Sequence, residues 1–202
     1  MNIDKKEAIL DLYAIKAIQF GRFKLKSGLI SPFYIDLRLL CSYPHLLKLI
    51  ADTFWEKLKL LNFDLIIGVP YTGIPIATAI SLRCNRPMVF TRKHKKSYGR
   101  KKLIEGEFHL GQKVVVIDDV VSDGASKLET IESIEREKLT VSDVVVFLDR
   151  GQAGKEVIIK KGYNFHSIVS MENVLKILKD KKRITSAQVK SAKNFIRQSR
   201  KK

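Results

Sequence analysis

The stretch VVVIDDVVSDGAS, residues 114–126, decides the fold that we expect for this chain. An apolar run leads into Asp118 and Asp119, and small residues then lead into a helical pattern that begins near Ala125. An unpaired carboxylate is too costly to bury in an apolar core. We therefore expect both aspartates where a strand emerges from the core, at the mouth of a pocket.

Apolar runs of strand length alternate along the chain with segments of helical periodicity. Strands are expected at LIIGVP, PMVFT, KVVVID and DVVVFLD, and near NFHSIV. Continuous apolar strands bounded by turn residues are typical of a parallel sheet covered on both faces. The sequence thus predicts an α/β fold with a central, mostly parallel sheet flanked by helices. FKLKSGLISPFYIDLR alternates around Ser27 and Gly28, which predicts a small N-terminal hairpin.

Helices are predicted by periodicity and by their end signals. Asp4 followed by Glu7 resembles a capping box, so a helix is expected to start there. Further helices are expected from Pro44 to Leu58, at GIPIATAISLRC and ASKLETIESIEREK, and near 154–161, 171–180 and 185–197. We expect one domain over 1–202, with a helix and hairpin hood at 1–43, a core at 44–180 and a basic C-terminal helix at 181–202.

The net charge of +17 comes from two segments. Residues 92–102 hold seven basic residues and no acid, and residues 176–202 hold eleven basic residues and one acid. Setting these aside leaves 20 of the 38 basic and 20 of the 21 acidic residues, so the rest of the chain is neutral. The C-terminal segment is patterned as an amphipathic helix with a solvated basic face. Weak attraction to nucleic acid is the alternative.

Composition argues against several classes of protein. No apolar run approaches the roughly 20 residues of a membrane span, and the N-terminus lacks a signal-peptide core. Cys41 and Cys84 are too few for a disulfide framework, and no Cys/His cluster indicates a metal site. We expect a cytoplasmic protein with neither a membrane nor a nucleic acid as its partner.

Four segments are expected at the carboxyl ends of strands, where ligands of parallel sheets collect: YTGIP, TRKHKKSYG, DDVVSDGAS and LDRGQ. In DDVVSDGAS, small residues open a helix, so backbone N–H groups and the helix dipole can hold a phosphate. The carboxylates suit sugar hydroxyls instead. The segment therefore predicts a sugar-phosphate site, with simple helix capping by Ser122 or Asp123 as the alternative.

The same stretch resembles the motif of type I phosphoribosyltransferases, which bind 5-phosphoribosyl 1-diphosphate and magnesium. FGRFKLKSGLISPFYIDLR, GVPYTGIPIAT, RKHKKSYGRKKLIEG, IDDVVSDGASKLETIE and LDRGQAGK are similar, in order and spacing, to blocks of orotate phosphoribosyltransferases. They resemble most closely the transferase half of the bifunctional enzymes that make uridine 5'-monophosphate. The resemblance implies the type I phosphoribosyltransferase fold and transfer of phosphoribose to orotate, in pyrimidine biosynthesis.

The resemblance also implies a set of site residues. Asp118 and Asp119 would hold the ribose hydroxyls, and both are counted as catalytic together with Lys96 and Tyr98. Orotate would contact Lys26, Tyr34, Ile35, Ser122 and Arg150, since a guanidinium fork fits a carboxylate. The implied contacts to phosphoribosyl diphosphate are Lys26, Tyr71, Thr72, Arg92, Lys93, Lys96, Tyr98, Asp118, Asp119, Val120, Val121, Ser122, Asp123, Gly124, Ala125 and Ser126.

The basic segment corresponds in the family to a lid loop, here residues 92–105, which reaches the site of a neighbouring subunit. A homodimer that shares its lids is therefore implied. Seven cations without an acid repel one another, and a diphosphate would order them over the site. Magnesium is implied as a cofactor, held mainly by diphosphate, ribose and water with no direct protein ligand.

Three residues depart from the family pattern. Asp123 stands where a small or hydroxyl residue is expected, so its charge must point away from the phosphate or be neutralised by the basic segment. Ser97 and Tyr98 stand where many bacterial members have aspartate and histidine.

Two other functions stay open at this point. One is phosphoribosyl transfer to another base, which would leave Arg150 unexplained because purines and uracil lack a carboxylate. The other is a non-catalytic regulator that binds nucleic acid on the same fold, which the charge of +17 suggests. The sequence shows no second domain for decarboxylating the product, so we expect the transfer step alone.

Overall fold

A six-stranded sheet forms the centre of the molecule, for which a computed structural model describes residues 3–25, 28–92 and 104–200. The strands of this sheet are β3 (Leu65–Gly68), β4 (Met88–Thr91), β5 (Ile104–Glu105), β6 (Lys113–Val121), β7 (Thr140–Asp149) and β8 (Asn164–Ser170). Their order is β5-β4-β3-β6-β7-β8, and all pairs are parallel except β4 with β5. The predicted α/β fold with a mostly parallel sheet is thereby confirmed.

Seven helices and one short 3-10 helix, Leu37–Ser42, are found in the described ranges. The helices are α1 (Ile3–Ala14), α2 (Pro44–Leu58), α3 (Gly73–Cys84), α4 (Ala125–Arg136), α5 (Gly154–Lys160), α6 (Met171–Asp180) and α7 (Ser186–Ser199). Alternate residues of β6 reach opposite faces of the sheet. Val115 and Ile117 join the core beside α1, α2, α3 and α6, whereas Val114 and Val116 join the core beside α4 and α5.

The N-terminal hairpin consists of β1 (Ile18–Lys24) and β2 (Ile30–Ile35), which pair in antiparallel fashion. Its turn includes Gly28 at a φ of 80°, a conformation that favours glycine. Helix α7 packs against β2. The ring of Phe195 meets the ring of Phe33 edge-on, with 5.8 Å between centroids. The predicted amphipathic C-terminal helix therefore buries its apolar side against the hairpin.

Two features of the fold differ from the sequence-based expectation. Helix α1 already includes Ile3, so Asp4 lies inside the helix and not at its N-cap. The short strand β5 was not expected at all. It pairs Ile104 with Thr91, so the ends of the predicted lid segment lie side by side at the sheet edge. Residues 93–103, which make up most of that segment, lie outside the described residues.

No helix in the described part of the chain is both long and apolar enough to cross a membrane.

Strand β3 and helix α3 approach each other closely through two glycines. A Cβ on Gly68 would lie 2.5 Å from the carbonyl oxygen of Gly73. A Cβ on Gly73 would lie 2.7 Å from the carbonyl oxygen of Ile117 in β6. The obstacles are backbone atoms of packed elements, which cannot rotate away. These glycines therefore bring the turn after β3 against the end of β6.

The substitution Gly68→Ala is expected to destabilise the protein by about 1–3 kcal/mol or more, because the new methyl group overlaps a backbone carbonyl. Chemical denaturation followed by circular dichroism measures the loss. Gly21→Ala is the matched control, since its Cβ would lie 3.4 Å from the Phe23 ring, an ordinary contact distance. Equal losses in the two variants would contradict the close packing of β3 and α3.

Candidate active site

The predicted site segments follow the carboxyl ends of neighbouring parallel strands. Backbone hydrogen bonds join these ends: Arg150 N–H donates to Val121 O (3.2 Å) and Gly154 N–H donates to Ser122 O (2.8 Å). The turn after β3 is joined to β6 through Val69 N–H, which donates to Ile117 O (2.9 Å). The turns after β3, β6 and β7 therefore form one continuous edge.

Asp118 is buried, with only 4% of its surface exposed. Successive side chains of β6 point to opposite faces of the sheet. The Asp118 side chain points towards α4, where its Oδ2 lies 2.6 Å from the Lys127 ammonium. Its other oxygen, Oδ1, accepts the N–H of Asp119 at 2.8 Å. Burial raises the pKa of Asp118 to about 7, against the opposing influence of Lys127. Asp118 therefore does not lie at a pocket mouth as expected. Its ion pair with Lys127 of α4 offsets the free-energy cost of burying the carboxylate.

Asp119 is the more accessible of the two carboxylates. It is half-buried, and its Oδ1 accepts the N–H of Val120 at 2.7 Å. This bond fixes the side chain at the end of the strand. A carboxylate held there can accept hydrogen bonds from hydroxyl groups of a ligand.

The loop from Ser122 to Ser126 turns the chain from β6 into α4. Gly124 makes this turn possible, because it adopts a φ of 84° and a Cβ there would lie 3.2 Å from Gly154 O. Ala125 and Ser126 are exposed at the start of α4. Backbone N–H groups at an exposed helix start attract anions, so the loop can bind a phosphate.

Asp123 occupies part of this anion-binding loop. Its side chain is exposed, and its Oδ1 accepts the N–H of Ala125 at 3.0 Å. The N-cap residue of α4 is Gly124 and carries no side-chain cap, so Asp123 makes a local i,i+2 contact before the helix and is not the N-cap that we considered as an alternative to phosphate binding. Since the carboxylate is exposed, it can be displaced by a ligand.

Arg150 follows β7 directly, and its guanidinium lies over the Phe33 ring, 5.1 Å from the centroid. Its buried Nε has no hydrogen-bond partner among the described residues. Burial lowers the pKa of Arg150, and Asp123 acts in the opposite direction. Asp149, the neighbour of Arg150 in sequence, accepts the N–H of Gly151 at 2.7 Å. The described residues contain no ion pair between Asp149 and Arg150. A buried arginine with an unused donor is suited to bind an anionic ligand.

Tyr34 and Ile35 of β2, which the family resemblance implies as orotate contacts, point in different directions. Ile35 packs against the core, on the same side of the hairpin as Phe33. Tyr34 stacks on Phe23 with 5.5 Å between ring centroids, and its hydroxyl accepts from Arg38 at 3.3 Å. Of the two, only Ile35 shares the side of β2 that carries the Arg150 contact.

Arg92 lies at the end of β4 and forms an ion pair with Glu105 of β5 at 3.0 Å. A cavity of about 350 Å³ beside it is lined by Arg92, Thr91 and Ser126, among others. Arg92 is therefore close to the loop after β6. Tyr71 is 67% exposed in the turn between β3 and α3, and Thr72 precedes the first residue of α3.

Four predicted site residues, Lys26, Lys93, Lys96 and Tyr98, lie outside the described residues, as does Ser97. Within the described ranges there is no group of three or more His, Cys, Asp or Glu that could hold a metal ion.

Sequence reasoning missed two residues of the site, Phe33 and Lys127. Lys127 is detectable in retrospect, because it begins the buried face of α4 that continues through Ile131 and Ile134. A lysine at such a position, shortly after two aspartates, indicates a buried ion pair. Phe33 carries no comparable signal, since its contact with Arg150 joins residues that are distant in the sequence.

Comparisons with known proteins agree with this geometry. Residues 41–177 match the family described as phosphoribosyl transferase domain. The chain is 42% identical over 193 residues to uridine 5'-monophosphate synthase of Bos taurus, covering 95% of this chain and 40% of that protein. It is 40% identical over 185 residues to orotate phosphoribosyltransferase of Caenorhabditis elegans, covering 91% of this chain and 82% of that one.

A solved structure of UMP synthase from Leishmania donovani superimposes with a TM-score of 0.88 at 38% identity. The match covers 96% of this chain and 42% of the Leishmania chain. The chain thus spans about two fifths of the length of the bovine and Leishmania synthases, and most of the length of the Caenorhabditis elegans transferase.

Replacing Arg150 by methionine is expected to leave the stability of the ligand-free protein unchanged or to raise it by up to about 2 kcal/mol. The substitution removes a buried charge and an unsatisfied donor while keeping apolar contact with Phe33. Denaturant unfolding without ligand measures the difference. In the control Arg83→Met, which loses an exposed pair with Asp52, a loss below about 1 kcal/mol is expected. A large loss in Arg150→Met alone would show that Arg150 serves the fold.

Proposed function

Because this chain belongs to the orotate phosphoribosyltransferases within the phosphoribosyl transferase family, we propose that it makes orotidine 5'-monophosphate and diphosphate. The substrates are orotate and 5-phospho-α-D-ribose 1-diphosphate, and the step belongs to pyrimidine biosynthesis. The observation that carries the proposal is the meeting of two features at one sheet edge. The loop after β6 offers backbone N–H groups to a phosphate, and Arg150 beside it holds a buried donor that has no partner in the described ranges.

Each of these features is assigned to one chemical group of the two substrates. The loop from Ser122 to Ser126 binds the 5'-phosphate, and Asp119 accepts hydrogen bonds from the ribose hydroxyls. Arg150 pairs with the carboxylate of orotate, since a guanidinium fits a carboxylate bidentately. The base and the anomeric carbon are thereby held in contact while the bond to diphosphate breaks.

The main electrostatic requirement of this reaction is to stabilise the negative charge that develops on the leaving group. As diphosphate departs, negative charge grows on its oxygens, and cations placed there lower the barrier. Arg92 lies at this edge of the sheet, and by resemblance Lys93 and Lys96 of the lid serve the same purpose. The lid is proposed to close over the diphosphate and exclude water.

Mg²⁺ is proposed to enter the site together with the diphosphate. In the described part of the chain no carboxylate cluster could form a cage for the ion, and Asp118 already uses both oxygens. Mg²⁺ commonly keeps several waters and binds through substrate phosphates. When bound in this way, it neutralises charge on the leaving diphosphate.

Further parts of the proposal rest on the family resemblance. They are a homodimer in which the lid carrying Lys96 and Tyr98 reaches the partner's site, and a cytoplasmic location. A second acceptor base is not favoured, because it would leave the Arg150 guanidinium without a counter-charge. A nucleic-acid-binding regulator is not favoured either, since the substrate-binding elements are preserved.

The test of this function is the loss of orotate absorbance with and without phosphoribosyl diphosphate and Mg²⁺. Wild-type protein is expected to consume orotate only when both are present. Arg150→Ala is expected to raise the KM for orotate, and Lys96→Ala to lower kcat by ~10²-fold, because each removes a different charge contact. A panel with adenine, guanine, hypoxanthine and uracil serves as the control for acceptor choice. Turnover of one of these bases in place of orotate would refute the proposal.

Asp123 provides a separate prediction for phosphate binding. Asp123→Ser is expected to lower the KM for phosphoribosyl diphosphate by roughly threefold or more, because the carboxylate both repels the 5'-phosphate and occupies the Ala125 N–H. Asp123→Asn is the matched variant, which keeps a side-chain oxygen for that N–H but removes the charge. An increase of the KM in both variants would mean that Asp123 assists binding.

A further inference from the structure

Lys127 is a buried cation whose function is not explained by the proposed reaction. It lies in the first turn of α4, and only 5% of its surface is exposed. Its ammonium contacts Asp118 Oδ2 at 2.6 Å, donates to the carbonyl oxygen of Val120, and lies 3.4 Å from Ser126 Oγ. Three oxygen atoms therefore lie within hydrogen-bonding distance of the ammonium, with Ser126 Oγ the most distant. Burying a charge is costly, and such pairing offsets the cost.

The three partners of Lys127 lie on both sides of the phosphate loop. Asp118 and Val120 belong to the end of β6, before the loop, whereas Ser126 is the last residue of the loop and lies at the start of α4. One ammonium group thus connects the entry of the loop to its exit. The segment between them, which contains Ser122 and Gly124, is closed into a short ring by these contacts.

The charge of Lys127 also matters for a loop that must accept a phosphate. Asp118, Asp119 and Asp123 place three carboxyl groups within six residues of sequence. A phosphate brought to this loop meets repulsion from those that are ionised. Lys127 is the only described basic residue that forms an ion pair with any of the three. It neutralises the buried Asp118, which leaves Asp119 as the carboxylate available to the ribose.

We propose that Lys127 is the positioning residue of the phosphate loop, which holds the loop in its anion-binding conformation by bridging Asp118, Val120 and Ser126. The inference rests on the proposed function, because the ligand whose binding depends on this conformation is phosphoribosyl diphosphate. Lys127 is assigned no contact with the ligand, because it is buried and paired with Asp118.

The test uses Lys127→Met, which keeps the length of the side chain and removes its charge and donors. The KM for phosphoribosyl diphosphate is expected to rise about 10-fold or more. The KM for orotate, which depends on Arg150, is expected to stay within about twofold of wild type. Calorimetric titration with ribose 5-phosphate is expected to show the same loss of affinity, independently of turnover.

A second variant keeps the test decisive if the unpaired Asp118 prevents folding. The double variant Asp118→Asn/Lys127→Met removes both charges, so no uncompensated charge stays buried. It is expected to weaken the binding of ribose 5-phosphate as much as Lys127→Met does. Asp118→Asn alone should have a smaller effect, because the amide oxygen can still accept from Lys127. Ile134→Ala is the control for general damage to α4, with lower stability and an unchanged KM.

Three results separate the possible failures. If wild-type protein binds ribose 5-phosphate and a folded Lys127→Met or double variant binds it within about twofold, the positioning role is refuted while the proposed function stands. The same holds if Ile134→Ala raises the KM for phosphoribosyl diphosphate as much as Lys127→Met does. If wild-type protein binds neither ribose 5-phosphate nor phosphoribosyl diphosphate, the proposed function is refuted as well.

Discussion

The parallel arrangement of β4, β3, β6 and β7 is the constraint on which the site depends. Parallel strands all end at the same edge of the sheet, so the topology alone brings residues that are far apart in sequence together there. The edge is made compact by contacts between backbones, in which Gly68 and Gly73 bring the turn after β3 against the end of β6. The positions of Thr72, Asp119 and Arg150 all follow from this geometry.

Charge burial at this edge costs stability and serves binding. Asp118 and Lys127 form a paired unit that is nearly closed to solvent, and such a pair contributes little to stability compared with apolar packing. Arg150 is costlier still, since its Nε lacks a partner in the described structure. An aromatic platform, Phe33, supports the guanidinium by a cation–π contact. A ligand carboxylate can supply the interaction that the Arg150 Nε lacks among the described residues.

The sequence predicted the sheet and helices well because each strand is a continuous apolar run between turn residues. It also predicted that the turns after β3, β6 and β7 would meet, since that follows from parallel topology. The strand β5 was missed, because two residues carry no periodicity. The partner of Asp118 was missed for a different reason: the cost of burying a carboxylate was assessed from β6 alone, while its cation belongs to the next helix. Contacts such as Arg150 with Phe33 depend on how the hairpin docks, which no local pattern encodes.

Asp123 acts on both electropositive features of this edge, the start of α4 and the Arg150 guanidinium. Its carboxylate accepts the N–H of Ala125 at the helix start, and its charge acts on Arg150 in the direction that keeps the guanidinium protonated. One exposed carboxylate therefore partly compensates both of these positive features. Because it reaches them from the surface, the anionic groups of a ligand can displace it. This accounts for how a loop that contains Asp123, and that follows Asp118 and Asp119 at the end of β6, remains compatible with an anionic ligand.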